Sequence, residues 1–175
     1  VIEKVCRWIQ ANPQFRCSVN LLPFTLMHKE SAARIIALFR LYNVRAENVI
    51  VEITEEQAFS NSEVSVQNIQ MLRDYGCKIA IDDFGTGYAN YERLKRLQAD
   101  IIKIDGCFVK EIATDAMDAM IVKSICELAK AKSLSVVAEY VETPAQSQIL
   151  LGLGVDYLQG YLIGKPLPLA DEYRA

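Results

Sequence analysis

Six short apolar segments, each ending in a polar or ionised residue and each separated from the next by a helical stretch, constrain this chain more than any other feature. Residues 15–19, 49–53, 77–81, 101–104, 134–138 and 155–158 read as strands. Residues 1–12, 29–42, 60–75, 91–98, 115–132 and 144–153 read as helices. On the third of these helices Gly76 stands where a left-handed C-terminal residue belongs. The last helix opens with Thr143 as N-cap and Pro144 at the first helical position. The stretch 115–132 carries Met117, Ile121, Ile125 and Leu128 at helical spacing. Strand starts recur roughly every 20–35 residues, the rhythm of βα units in a parallel sheet. Uninterrupted apolar strands fit a sheet covered on both faces. The predicted fold class is therefore α/β.

Composition narrows the function classes. The 175 residues carry 19 Lys+Arg against 22 Asp+Glu, a formal charge of −3, and 51% hydrophobic residues. A chain this apolar with so little net charge folds rather than staying disordered. Slight acidity argues against non-specific nucleic-acid binding, so DNA is not expected as a partner. No run approaches the roughly 18 apolar residues of a membrane span, so no membrane contact is expected from this segment. The start, with Glu3, Lys4 and Arg7, does not read as a signal peptide. The five cysteines are widely spaced with no CxxC pair, which predicts reduced thiols and a cytoplasmic setting. His28 is the lone histidine, with a solvated or capping role, which excludes a His-rich zinc hydrolase.

Two architectures meet the βα rhythm: a doubly wound open sheet and an eight-stranded barrel. No GxGxxG or GxxxxGK[ST] follows the first strand, which weakens the nucleotide-binding open sheets. A complete barrel usually needs about 250 residues, about two βα units more than are present. The strand ends decide. In order they deliver Asn20, Glu52 with Glu55, Asp82-Asp83, Lys103 with Asp105, Glu139 with Glu142, and Gln159. Taken singly, each has a plain structural reading as a cap, a turn former or a snorkelling edge residue. Six in phase with six strands argue for convergence on the carboxyl-end face of a barrel, where such folds hold their active sites.

Carboxylates at Glu52, Asp82, Asp83 and Glu139 repel one another unless a cation joins them. Oxygen ligands without histidine or thiolate suit Mg²⁺ or Mn²⁺ rather than zinc. Adjacent aspartates can serve two metals at once, the arrangement that activates water and stabilises both oxygens of a displacement at phosphorus. Lys103 would orient the water or offset transition-state charge, and Glu139 would take the proton. Enolisation by Lys with Mg²⁺, as in enolase-type barrels, shares these residue types but fits less well. The two glycines around Thr86, Gly85 and Gly87, let a loop backbone approach a ligand.

At these residues the sequence resembles the EAL domain family, the bacterial cyclic di-GMP phosphodiesterases. The matching segments are Ser18-Val19-Asn20-Leu21, Glu52-Ile53-Thr54-Glu55, Asp82-Asp83-Phe84-Gly85-Thr86-Gly87-Tyr88, Lys103-Ile104-Asp105, Ala138-Glu139-Tyr140-Val141-Glu142-Thr143 and Gln159-Gly160-Tyr161, followed by Lys165-Pro166-Leu167-Pro168. The resemblance covers essentially the whole chain. It implies a TIM-type (βα)8 barrel and hydrolysis of cyclic di-GMP to linear pGpG with two Mg²⁺ or Mn²⁺ ions. Asn20, Glu52, Asp82 and Asp83 match metal ligands. Glu139 matches the general base, and Lys103 the lysine at the nucleophilic water. Glu55 matches the glutamate that holds the Asp82–Tyr88 loop. Asp105, Glu142, Gln159, Thr86 and Gly87 match positions near the substrate. The family admits a homodimer through the barrel and a role as cytoplasmic output module of a larger protein.

The departures are specific. The Glu-Ala-Leu signature would lie upstream of Val1, so residues 1–175 are expected to form one domain lacking its leading part, with six of eight strands. Leu22 stands at a usual serine, Tyr140 at a usual glycine, Ala89-Asn90 at a usual serine pair and Gln98 at a usual proline. The competing reading is a catalytically inactive domain that acts as a cyclic di-GMP receptor or interaction module.

Overall fold

The computed structural model describes residues 1–60, 62–85 and 98–168. Two compact units emerge, residues 1–79 with 167 and 168, and residues 80–166. The predicted helix at 91–98 lies almost wholly outside the described residues.

The first unit holds α1 (Ile2–Ala11), β1 (Cys17–Asn20), α2 (Pro23–Leu26), α3 (Ser31–Leu41), β2 (Val49–Thr54), α4 (Glu55–Ala58) and α5 (Glu63–Tyr75). β1 and β2 run parallel in the register Cys17↔Val49 to Asn20↔Glu52. Val19, Val49, Val51 and Ile53 are buried between the helices that flank the pair, with Ile9, Leu26, Phe39 and Leu72 from those helices. α5 ends in the left-handed region at Gly76 (φ +110°), as its sequence position predicts.

The short α2 escapes any periodicity argument, because four residues carry no helical pattern. Tertiary hydrogen bonds hold it. Asn68, buried on α5, donates from Nδ2 to the carbonyls of Leu26 (2.7 Å) and His28 (2.9 Å) and accepts from the Ala32 amide at 3.3 Å. Gln57 of α4 donates to the Leu21 carbonyl at 2.9 Å. The loop that follows Asn20 is thus tied by amide side chains, which satisfy backbone groups that no ladder reaches.

β3 (Lys78–Phe84) begins at the close of the first unit, and most of it belongs to the second, with β4 (Ile101–Ile104), a 3-10 turn (Gly106–Phe108), α6 (Ala116–Ala131), β5 (Ser135–Ala138), α7 (Pro144–Leu153) and β6 (Tyr157–Leu158). β3, β4, β5 and β6 pair in chain order, all parallel. The buried stripe of α6 is Val122, Ile125, Cys126 and Ala129. Of the four residues whose spacing predicts the core face, only Ile125 is buried there, and Met117 is exposed. Apolar residues line both candidate stripes, so periodicity alone does not separate them and tertiary packing decides which is buried. Thr143 and Gln146 complete a capping box at the start of α7. The Gln146 amide also donates to the carbonyls of Val109 (3.2 Å) and Lys110 (3.1 Å), fixing the segment that follows β4.

Candidate active site

Consecutive residues of a regular strand point to opposite faces. Asp82 and Asp83 therefore should not share a site, and a local irregularity makes them do so. The β3–β4 register runs Ile81↔Ile102 and then Phe84↔Ile104, so β3 spends one extra residue there. This is a β-bulge, a device that re-aims side chains. Asp83 takes the left-handed conformation, φ +54°, which aspartate tolerates better than most residues. The outcome is a cluster in which one carboxylate oxygen each from Asp82, Asp83 and Glu139 lies within 4.8 Å of the others.

Lys103 is buried on β4 and reaches two of these acids. Its Nζ lies 2.8 Å from Asp82 Oδ1 and 2.8 Å from Glu139 Oε1. Burial pushes the Asp83 carboxyl above its ordinary range, and the negative charges of Asp82 and Asp105 add to the rise, while Lys103 opposes it. Asp105 shares a hydrogen bond with Asp83 and accepts from the Cys107 amide at 2.8 Å. Burial acts to raise Asp105, but the bonds from Cys107 and Asp83 outweigh it and hold the carboxyl low. The pair thus divides into one group that keeps its proton more readily and one that gives it up.

Glu139 follows β5, with its amide donating to the Ile104 carbonyl at 3.2 Å. Glu142, Gln159 and Tyr161 join Asp82, Asp83, Glu139 and Tyr140 around a cleft of about 410 Å³. Gly160 (φ +155°) closes against the backbone of Val141, where a Cβ would collide with both its N and O atoms. That close approach is what lets the Val141 amide donate to the Gln159 carbonyl at 3.0 Å.

In the first unit, Asn20 and Glu52 are register partners at the carboxyl ends of β1 and β2. Glu52 is buried. Glu55 is buried at the first position of α4, under a Thr54–Gln57 capping box. Thr86 and Gly87 lie outside the described residues. Sequence reasoning did not single out Gly106, which presses against Tyr140. Its signal was only the adjacency of a glycine to the Lys103–Asp105 segment.

Carboxylates alone, with a lysine between them and neither histidine nor thiolate, form a hard-oxygen set suited to divalent cations such as Mg²⁺ or Mn²⁺. Parallel βα units that deliver such a set to strand ends define a class, the α/β enzymes with an acidic, metal-assisted centre. The particular family is shown by comparison. The EAL domain model matches residues 1–166, and the chain belongs to that family. It is 63% identical over 175 residues to the probable cyclic di-GMP phosphodiesterase PdeA of Escherichia coli K12, covering 98% of this chain and 24% of that protein. It is 44% identical to the cyclic di-GMP phosphodiesterase PdeF of the same organism, covering 98% and 23%. The chain thus spans about a quarter of the length of these curated relatives. Among solved structures, the MucR phosphodiesterase in complex with c-di-GMP superposes with a TM-score of 0.89 at 35% identity, over 95% of this chain and 70% of that one. The manganese and cyclic di-GMP complex of BlrP1 from Klebsiella pneumoniae at pH 9.0 gives 0.84 at 29% identity, over 91% and 42%. The fold class is that of the family, an α/β TIM-type architecture, with six strands among the described residues. No helix among the described residues is long and apolar enough to cross a membrane.

Proposed function

We propose that the protein hydrolyses one phosphodiester of cyclic di-GMP to give linear pGpG, using two Mg²⁺ or Mn²⁺ ions. The observation that carries this is the bulged Asp82-Asp83 pair brought within 4.8 Å of Glu139, with Lys103 bonded to two of the three acids. Bound divalent ions would lower the pKa of a coordinated water and offset charge on the phosphoryl oxygens. Asp82 and Asp83 would hold them, with Asn20 and Glu52 as further oxygen ligands, an assignment supported by the family resemblance and by their shared register. Glu139 accepts the proton of the attacking water. Lys103, fixed between Asp82 and Glu139, orients that water and stabilises developing negative charge. Glu55 supports the loop after Phe84, and Asp105, Glu142, Gln159, Thr86 and Gly87 contact or shape the substrate site.

Residues 1–175 belong to a single EAL-type domain, a reading supported by the family model's match over residues 1–166. A homodimer formed through the barrel and a cytoplasmic setting belong to the same reading. The test is pGpG formation by the full-length protein with Mg²⁺ or Mn²⁺, and its loss in EDTA. Tight dinucleotide binding with no turnover at saturating metal would replace the enzyme with the receptor reading.

A further inference from the structure

Tyr140 is one of four non-glycine residues with positive φ among the described residues, and it directly follows Glu139. At φ +54° a tyrosine sits where its Cβ crowds the backbone, a conformation that L side chains rarely adopt. Glycine would take the conformation freely. Neighbouring bonds fix the chain on both sides. The Glu139 amide donates to Ile104, and the Val141 amide to Gln159. The kink at Tyr140 therefore sits between two anchored amides, directly beside Glu139. Something must hold a tyrosine in it.

The ring supplies that hold. It lies against Gly106, the first residue of the 3-10 turn after β4. A Cβ built on Gly106 would overlap Tyr140 Cδ2 and Cγ and come within 3.0 Å of its Cβ. These atoms are the root of the side chain, so no swing of the ring tip relieves the overlap. Lys110, one turn on, places its ammonium 5.2 Å from the ring centroid, a cation–π contact. The ring of Tyr140, a residue 55% exposed, thus rests by one side on the segment that follows β4, the strand that carries Lys103.

We propose that the Tyr140 ring, seated on Gly106 and held by Lys110, is the lock that aims the Glu139 carboxylate at Lys103 and the aspartate pair. Tyr140 is a positioning residue in this chain, held by packing in a conformation that its own backbone disfavours. The inference rests on the functional reading above for its kinetic arm. Its metal-binding arm stands apart from turnover.

The experiment compares G106A, Y140A, Y140G and the double variant G106A/Y140G in the full-length protein. Each is read by kcat and KM for cyclic di-GMP and by calorimetric Mn²⁺ affinity without substrate. G106A should lower kcat at least tenfold, leave KM within threefold, and weaken Mn²⁺ binding several-fold, because Glu139 is turned from the cluster. Y140A, which keeps the torsional strain but loses the ring, should behave alike. Y140G should retain at least a third of wild-type kcat, and adding it to G106A should restore kcat toward the Y140G value. A merely structural role lowers the melting temperature of G106A and Y140A but leaves kcat per folded molecule and Mn²⁺ affinity unchanged. The lock is refuted if G106A and Y140A leave kcat and Mn²⁺ affinity within twofold, or if the double variant is as impaired as G106A. Should G106A fail to fold, the Y140A–Y140G difference decides by itself. A wild-type protein without turnover overturns the functional reading, and the Mn²⁺ arm still tests the lock.

Discussion

Replacing Lys103 by methionine should tighten metal binding while destroying catalysis. The ammonium sits 2.8 Å from an oxygen of Asp82 and 2.8 Å from one of Glu139, and its side chain is 5% exposed. Coulomb's law at an effective dielectric of about 20 gives about 6 kcal/mol for each unit pair at that distance. Desolvation of a buried ammonium takes back most of this. If only about a fifth survives, the two pairs together hold the carboxylates with about 2.4 kcal/mol. A divalent cation that binds these oxygens must compete with the ammonium. Methionine keeps the stem and removes the competitor, so Mn²⁺ affinity should rise about fiftyfold, with tenfold as the floor. In EDTA the variant should melt lower than wild type, because three carboxylates then face one another without that counter-charge. Turnover should fall by about 10²–10⁴, the usual worth of a group that handles the reacting water. Calorimetry with Mn²⁺ and a pGpG assay read both arms on the same preparation. Unchanged or weaker Mn²⁺ binding would refute the reasoning, since it would mean that lysine and metal do not contend for the same oxygens.

Asp82→Asn should reduce pGpG formation at least about a thousandfold and weaken Mn²⁺ binding, because a ligand loses its charge where charge neutralises the ion; near wild-type turnover would overturn the metal mechanism. Glu139→Gln should cost about 10²–10⁴ in kcat while dinucleotide affinity, measured with Ca²⁺, stays within a few-fold; equal loss in both would make Glu139 a binding residue. Gly160→Ala should destabilise more than the usual 1 kcal/mol or so of a left-handed glycine, because its Cβ meets the Val141 backbone rather than a movable side chain; thermal melting checks this. In metal-free protein Asp83 holds its proton above the ordinary carboxylate range, so the folded state binds protons more readily there than the unfolded chain. Its contribution is unfavourable at neutral pH and is relieved as pH falls through the folded pKa. Mn²⁺ affinity should accordingly begin to fall at a higher pH than an unperturbed aspartate would give, which titration calorimetry from pH 7 to 5 detects.

The βα order, the parallel class and most element positions were legible because they follow from local periodicity and end signals. Ile101–Ile104 and Pro144–Leu153 lie where their residues predict. Thr143-Pro144 and Gly76 encode their ends through a side-chain oxygen, a missing amide and a missing Cβ. Asp82, Asp83, Glu139 and Lys103, which the structure brings together, stood out not singly, since each could be a cap or an edge residue, but because polar groups recurred in phase with the strands. Tertiary structure decided what periodicity cannot carry. Four-residue α2 exists because Asn68, 42 residues from Leu26, satisfies its carbonyl. α6 turned Val122 and Ala129 inward and left Met117 outside, since both stripes are apolar and only packing separates them. Above all, nothing in the string Asp82-Asp83 says that two neighbours on a strand will face one site. That depends on one extra residue against β4 and a left-handed turn at Asp83, held by long-range hydrogen bonding. Tyr140 is the same lesson in reverse: its sequence position argues against the conformation it adopts, and a glycine 34 residues away makes room for the ring that holds it there.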